Sequence, residues 1–417
     1  MHIYFSGIGG AGLGPLAEIA QDAGFVVSGS DVHESLATKE LEQRGIDVVF
    51  EQTESNIKAE HLASLIDWLV YTSALPDDHP ELVFARQNGI RISKRDEFLS
   101  EFLADKKLKL IAVAGTHGKT TTTGMLIWAL QQLEVPLSYS IGTVTSFGSA
   151  GKFDPAAKFF VYEADEYDRN FIKFQPALSL LPAVDYDHPD IYQTVEDYQQ
   201  AFRQFMAQSD LTILSADTAK YLEPLEANYE IFDHHADFSE IALPGQFDRD
   251  DAYLASRAIK KITDFSDAEI FQALSTYPGV GRRFEKLADG LYSDYAHHPS
   301  EIKAVIAKAL ELNPRLVVIY EPHQNQRQLQ FADDYQTVFA GASQLFWLPT
   351  FMPAGDREKA DKVLQPADFI KTLKNIEADP AAMDDQLWDT ILDYIASGYL
   401  VLGLSAGNLD AWLRGRL

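Results

Sequence analysis

The stretch from Leu108 to Leu130 constrains the fold of this chain more than any other. It opens with Leu108-Lys109-Leu110-Ile111-Ala112-Val113-Ala114, an apolar, β-prone run of strand length. It closes with Met125, Leu126, Ala129 and Leu130 at helical spacing. Between them lies Gly115-Thr116-His117-Gly118-Lys119-Thr120, followed by Thr121. A strand, a glycine-bearing turn and a helix in that order make a P-loop, where backbone N–H groups and the helix N-terminus surround a phosphate chain. Lys119 then reaches the outer phosphates, and the Thr120 hydroxyl binds Mg²⁺. The common pattern has a glycine six positions before the lysine; Val113 stands there, so the loop is a shortened variant.

Size and charge bound what surrounds that loop. A chain of 417 residues predicts two to three domains. It has no cysteine, which excludes disulfides, thiolate catalysis and cysteine metal sites. Met1-His2-Ile3-Tyr4-Phe5 lacks the basic and long apolar regions of a signal peptide, and no run of about 18 apolar residues is present. A cytoplasmic, soluble protein is expected. The net charge of −27 argues against nucleic-acid and anionic-membrane partners. It also means that local cations and backbone N–H groups must hold any anionic ligand.

Residues 1–106 alternate strands and helices, which predicts a parallel sheet. Strand His2 to Ser6 enters Gly7-Ile8-Gly9-Gly10-Ala11-Gly12, helix Leu13 to Ala23 follows, and strand Phe25 to Gly29 leads to Asp31. This is G-x-G-x-x-G in its strand–helix setting, with an acid near the expected position for ribose hydroxyls. Gly7, Gly9, Gly10, Ala11 and Gly12 would bind a diphosphate, and Asp31 a ribose; the loop alone does not separate a dinucleotide from a nucleotide-sugar. Ser73 lies at the carboxyl end of strand Trp68 to Thr72, where ligands of such sheets bind.

Residues 107–281 hold the P-loop. Strand Phe159 to Tyr162 ends in Glu163-Ala164-Asp165-Glu166-Tyr167-Asp168, whose clustered carboxylates suit Mg²⁺ beside a phosphate chain; a solvated acidic turn is the alternative. Strand Ala177 to Leu181 leads to Asp187-His188, where His188 is a candidate second metal ligand or a water-positioning group. Helices Val195 to Met206 and Asp250 to Lys261 follow. Residues 282–417 begin with Arg282-Arg283-Phe284 and a hairpin, Glu285 to Leu287 and Leu291 to Ser293. Asp294-Tyr295-Ala296-His297-His298-Pro299 and helix Ser300 to Leu312 come next, with Ser300 as a cap. Strand Leu316 to Tyr320 then runs into Pro322-His323-Gln324 and Arg327. The paired arginines suit a transferring phosphoryl group.

In this order the motifs resemble the Mur ligase family, over nearly the whole chain. The marks are the Gly7–Gly12 loop, Ser28-Gly29-Ser30-Asp31, Gly115 to Thr122, Glu163-Ala164-Asp165-Glu166, Asp187-His188, Gly281-Arg282-Arg283-Phe284, Asp294 to Pro299, Pro322-His323 and Ala406-Gly407-Asn408. The resemblance implies three α/β domains: a Rossmann-like domain for a UDP-sugar at 1–106, a P-loop ATPase domain at 107–281, and a Rossmann-like domain for an amino acid at 282–417. It implies an ATP- and Mg²⁺-dependent amide ligase that joins L-alanine to the carboxylate of UDP-N-acetylmuramate through an acyl phosphate. A monomer or weak dimer is expected. Gly115, Thr116, His117, Gly118, Lys119, Thr120 and Thr121 would bind ATP, with Thr120, Glu163 and His188 on the metal. Arg283 and Arg282 would neutralise the phosphoryl group, and Asp294 would meet the ATP ribose or phosphates. His297, His323 and Arg327 would lie near the acyl phosphate and the amino acid, with domain closure excluding water.

Some positions depart from the family pattern. Gln324 replaces the usual Arg, Leu181-Pro182-Ala183 replaces an Asn-bearing stretch, and Phe247-Asp248 replaces the His-Asn near adenine, leaving Asp248 to accept from the adenine amine. Glu166-Tyr167-Asp168 and Asp187-His188-Pro189-Asp190 look more like a relative that attaches a whole tripeptide to UDP-N-acetylmuramate. A non-catalytic nucleotide-binding relative and, from the first loop alone, a dinucleotide oxidoreductase are the remaining alternatives.

Overall fold

The computed structural model describes residues 1–143, 145–188, 191–232, 238, 240–352 and 365–417, with the backbone alone for Leu36, Asp168, Gln326 and Arg327. Two compact units divide the chain. One holds 1–241 with 250–278, and the other holds 242–249 with 279–417.

The first unit contains two sheets. Strands β1 (His2–Ser6), β2 (Val26–Ser30), β3 (Asp47–Val49), β4 (Trp68–Tyr71) and β5 (Arg91–Lys94) pair in the order β3-β2-β1-β4-β5, all parallel. The order reverses between β1 and β4, and the glycine loop leaves β1 at that point, where open parallel sheets bind ligands. The second sheet is built from β6 (Lys109–Val113), β7 (Ser138–Ser140), β8 (Gly151–Lys152), β9 (Phe159–Glu163), β10 (Leu178–Leu181), β11 (Thr212–Ser215) and β12 (Tyr229–Phe232). Its order is β12-β11-β10-β6-β9-β7-β8, parallel except for the β7–β8 pair. Central β6 carries Leu110, Ile111, Ala112 and Val113, all buried, and ends at the P-loop.

One helix joins the two cores. Arg95–Lys106 packs Phe98 on Phe5 and Trp68, with ring centroids 5.6 and 5.0 Å apart, and Phe102 on Phe153 of the second sheet's segment at 5.4 Å. Helix Gly14–Asp22, which follows the glycine loop, docks beside β8. Gly151 N donates to Glu18 Oε2 at 2.6 Å and Phe153 N to Asp22 Oδ2 at 3.1 Å.

The second unit has one sheet: β13 (Glu285–Ala288), β14 (Leu291–Asp294), β15 (Leu316–Glu321), β16 (Gln344–Trp347), β17 (Ala378–Pro380) and β18 (Leu400–Ser405). The order is β13-β14-β18-β15-β16-β17, parallel apart from the β13–β14 hairpin. Its core centres on Trp347, 1% exposed, against Tyr320, Phe339 and Phe369.

The three expected α/β sheets are present. Helices Glu54–Ala63, Arg95–Lys106 and Asp267–Ser275, and the 3₁₀ turn Tyr167–Lys173, are additional to the sequence expectations. Helix Pro299–Leu312 is capped by His298, not Ser300: the His298 ring accepts from Ser300 N at 3.3 Å, which places Ser300 already inside the helix.

Candidate active site

The P-loop has the backbone its sequence demands. Gly118 caps helix Lys119–Gln132 with φ +80°, and Gly115 sits at φ +146°. Both also need their missing side chains: a Cβ at Gly115 would lie 2.7 Å from Ala183 O, and one at Gly118 2.8 Å from Asp251 Oδ1 and from Pro182 Cβ. Leu181-Pro182-Ala183 therefore forms the wall of the loop. Thr116 N donates to Ala183 O at 2.8 Å. The Thr116 hydroxyl bonds Asp185 O at 2.6 Å and the Tyr198 hydroxyl at 2.8 Å, so Thr116 is a buried structural tie. His117 Nε2 lies 3.7 Å from Asp185 Oδ2, and Thr121 is half-buried in the first helical turn.

Lys119 is turned inward. Its Nζ donates to Gly115 O at 2.5 Å and Glu166 Oε1 at 3.0 Å. Glu166 is 1% exposed and also lies 3.6 Å from His188 Nε2. Burial alone would favour the neutral form of each group. The mutual charges override it: Glu166 raises the Lys119 pKa, Lys119 and His188 lower that of Glu166, and Glu166 and Asp187 raise that of His188. The ammonium is thus kept charged and parked on a carboxylate that sequence reasoning had assigned only to a general acidic cluster.

Thr120 and Glu163 come together as expected. Thr120 Oγ1 donates to Glu163 Oε1 at 2.6 Å, and Gly142 N holds Oε2 at 2.8 Å. A hydroxyl beside a carboxylate at a P-loop is an oxygen donor set that fits Mg²⁺. Among the described residues no three His, Asp or Glu are grouped to hold a metal unaided, so an ion here would draw its other donors from phosphate and water. His188, at φ +56°, faces Glu166 instead of Glu163.

The first sheet's loop is closed on itself. Gly7 N and Ile8 N donate to Ser30 O at 2.8 and 2.9 Å, and Gly9 N donates to Asp31 Oδ2 at 2.8 Å. Asp31 thus staples the loop in this state, its other oxygen taking Val32 N at 2.7 Å. Gly7 has φ +89°, and a Cβ there would lie 2.7 Å from Thr72 Cγ2 across the strand reversal. Gly10, Ala11 and Ser73 are exposed there, and Gly12 lies under the guanidinium of Arg95. Arg95 Nη2 donates to Asp165 Oδ2 at 3.1 Å.

In the second unit Arg282 and Arg283 both lie over the Tyr295 ring, at 4.5 and 5.1 Å from its centroid. Arg282 is anchored, donating to Ser405 O at 3.0 Å, with Nε 3.8 Å from Asp410 Oδ2. Asp294 is 4% exposed and accepts from Phe284 N at 2.6 Å and Ala296 N at 2.7 Å. Both its oxygens accept from the chain itself, which shapes the arginine loop. Burial pushes its pKa up to about 6, against Arg283. His297 and His323 are brought together, ring centroids 5.6 Å apart, and His323 stacks on Phe351 at 5.5 Å. Gln324 N donates to Phe351 O at 2.9 Å. The Arg327 side chain lies outside the described residues. Lys308 pairs with Asp248, and Phe247 beside it is 58% exposed.

The family model for the Mur ligase catalytic domain matches residues 2–107, and that for the Mur ligase middle domain matches 113–253. A UDP-N-acetylmuramate–L-alanine ligase of Pediococcus pentosaceus is 33% identical over 95% of both chains. The crystal structure of UDP-N-acetylmuramate–alanine ligase from Thermotoga maritima superposes with a TM-score of 0.76 at 24% identity, covering 100% of this chain and 98% of that one. A murein peptide ligase from Psychrobacter arcticus superposes with a TM-score of 0.67 at 23% identity, covering 99% and 97%. The chain belongs to the Mur ligase family.

Proposed function

We propose that this protein is an ATP-dependent ligase that joins L-alanine to the carboxylate of UDP-N-acetylmuramate, a step of peptidoglycan precursor synthesis. The observation that carries the reading is the grouping of Lys119, Thr120 and Glu163 at a P-loop. It occurs in a chain aligned along 95% of its length with an L-alanine ligase. We infer the division of labour from the motifs: 1–106 for the UDP-sugar, 107–281 for ATP, 282–417 for the amino acid.

The γ-phosphoryl group passes from ATP to a carboxylate oxygen, releasing ADP. The amine nitrogen of alanine then attacks the acyl carbon, the phosphate leaves with the C–O bond pair, and nitrogen loses a proton. Lys119 leaves Glu166 to bind the outer phosphates, and Arg283 balances charge on the transferring group. Thr120 and Glu163 would hold Mg²⁺, which supplies charge neutralisation on the phosphates. The P-loop N–H groups cradle the chain. His297 and His323 orient the amino acid. A cytoplasmic monomer or weak dimer goes with this reading; among the described residues no helix is long and apolar enough to cross a membrane.

The test is ADP release from Mg-ATP with UDP-N-acetylmuramate and either L-alanine or the tripeptide, with the amide product identified by mass. Release that needs both sugar and alanine supports the reading. Release only with tripeptide moves the protein to the recycling reaction that Glu166-Tyr167 and Asp187-His188 favour. ATP and sugar binding without release makes it a non-catalytic relative.

A further inference from the structure

We propose that Arg95 is the cation that fixes the anionic group held at the Gly7–Gly12 loop, and that residue 12 is a glycine in order to admit it. The inference rests on reading that loop as the nucleoside-diphosphate site.

Gly12 has no conformational need to be glycine. Gly7 of the same loop has φ +89°, whereas Gly12 is not in the left-handed region. What it lacks is space: a Cβ there would lie 2.1 Å from Arg95 Nη1 and 3.2 Å from both Cδ and Cζ. The third glycine of such loops usually permits close helix–strand packing. Here the close neighbour is a guanidinium.

That guanidinium is held, not drifting. Arg95 is the first residue of helix Arg95–Lys106, directly after β5, and its side chain is 20% exposed. Nη2 donates to Asp165 Oδ2 at 3.1 Å, leaving Nη1 against the loop. The next residue, Asp96, is buried and pairs with Lys173 Nζ at 2.5 Å. Two ion pairs of opposite polarity therefore pin the helix start to the 165–173 segment, so Asp165 aims the arginine. The ground for a cation is electrostatic. The chain carries −27, and the loop already faces the carboxylate of Asp31, while Asp165 lies on the far side of the guanidinium's other nitrogen, Nη2. Gly9 N is spent on Asp31 and Gly10 N on Gly7 O. A diphosphate at this loop needs compensation, and a planar fork of donors is suited to give it. The same arginine bonds Asp165, two residues after Glu163.

The experiment is calorimetric binding of uridine diphosphate and, separately, of ATP to the full chain and to Arg95→Ala, Arg95→Lys, Gly12→Ala and the Gly12→Ala/Arg95→Ala double variant. Arg95→Ala is expected to weaken uridine diphosphate about tenfold to a hundredfold, the range for a charge-assisted hydrogen bond, with ATP affinity unchanged. Gly12→Ala should cost a similar factor in the parent chain and almost nothing once Arg95 is shortened, because the two changes remove one contact. Should Arg95→Ala lose ATP binding too, Arg95→Lys decides: a partial loss for uridine diphosphate alone supports the proposal, and parent-like affinity overturns it. Equal cost of Gly12→Ala in both backgrounds also overturns it, while leaving the diphosphate site itself intact. A parent chain that binds ATP but not uridine diphosphate overturns the reading of the loop and the role of Arg95 with it.

Discussion

Glu18 offers a pH test of how the first unit is held together. It lies on helix Gly14–Asp22, 4% exposed, with Oε2 accepting Gly151 N at 2.6 Å and Oε1 3.6 Å from Arg44 Nη1. Burial raises its pKa from 4.5 to about 7, against the opposing pull of the Gly151 N–H and Arg44. The native state therefore binds a proton that the unfolded state has released, between about pH 4.5 and pH 7. Stability must fall as pH rises through that window, since native binds more protons than unfolded. At about 1.4 kcal/mol per pKa unit, ionising Glu18 costs the fold about 3 kcal/mol by pH 8. Glu18→Gln keeps an acceptor for Gly151 N and removes the charge. It should lie within about 1 kcal/mol of the parent at pH 5 and exceed it at pH 8 by up to about 3 kcal/mol. Urea unfolding followed at pH 5, 6, 7 and 8 reads this directly. If variant and parent lose stability in parallel across that range, burial does not dominate at Glu18 and the argument fails.

Three further outcomes follow from the P-loop. Lys119→Met should cut ADP release by about a hundredfold or more, as loss of a transition-state donor does, and near-normal turnover would remove its phosphoryl role. Glu163→Gln should raise the Mg²⁺ concentration for half-maximal turnover about tenfold or more; an unchanged Mg²⁺ titration would unseat the pairing with Thr120 as the ion's seat. Gly118→Ala forces a side chain into left-handed backbone and against Pro182, so it should cost at least about 1–2 kcal/mol in thermal stability together with ATP affinity. Parent-like melting would mean that the turn relaxes without cost.

What could be read from the chain was local. Strand β6, the glycine turn and helix Lys119–Gln132 declare themselves because apolar run, glycines and helical spacing are consecutive. The glycine loop after β1 did so for the same reason. Helix Arg95–Lys106 is absent from the sequence expectations although Phe98, Leu99, Phe102 and Leu103 repeat helically, since it follows β5 directly and Lys94 stands at its N-cap in place of Ser, Thr, Asp or Asn. Side-chain partners were the least legible. Glu166 and Asp165 stand side by side in sequence, yet one turns in to Lys119 and His188 and the other out to Arg95, seventy positions earlier. The family resemblance alone sets Asp294 beside ATP, and nothing in its neighbouring residues indicates its own hydrogen-bond partners. Only the packed structure shows both oxygens consumed by Phe284 N and Ala296 N.

Gly151 has a bearing on how this protein comes apart. A Cβ there would lie 2.0 Å from Pro15 O and 2.6 Å from its carbonyl carbon, so main chain meets main chain with no rotamer able to give way. The joint ties the helix that follows the glycine loop to the edge of the P-loop sheet, and a continuous apolar core runs beneath both. Opening either sheet alone would strip that core of half its partners. The two should therefore melt as one cooperative block, amide protons in β1 and β6 exchanging together and proteases finding no early cut between residues 107 and 109.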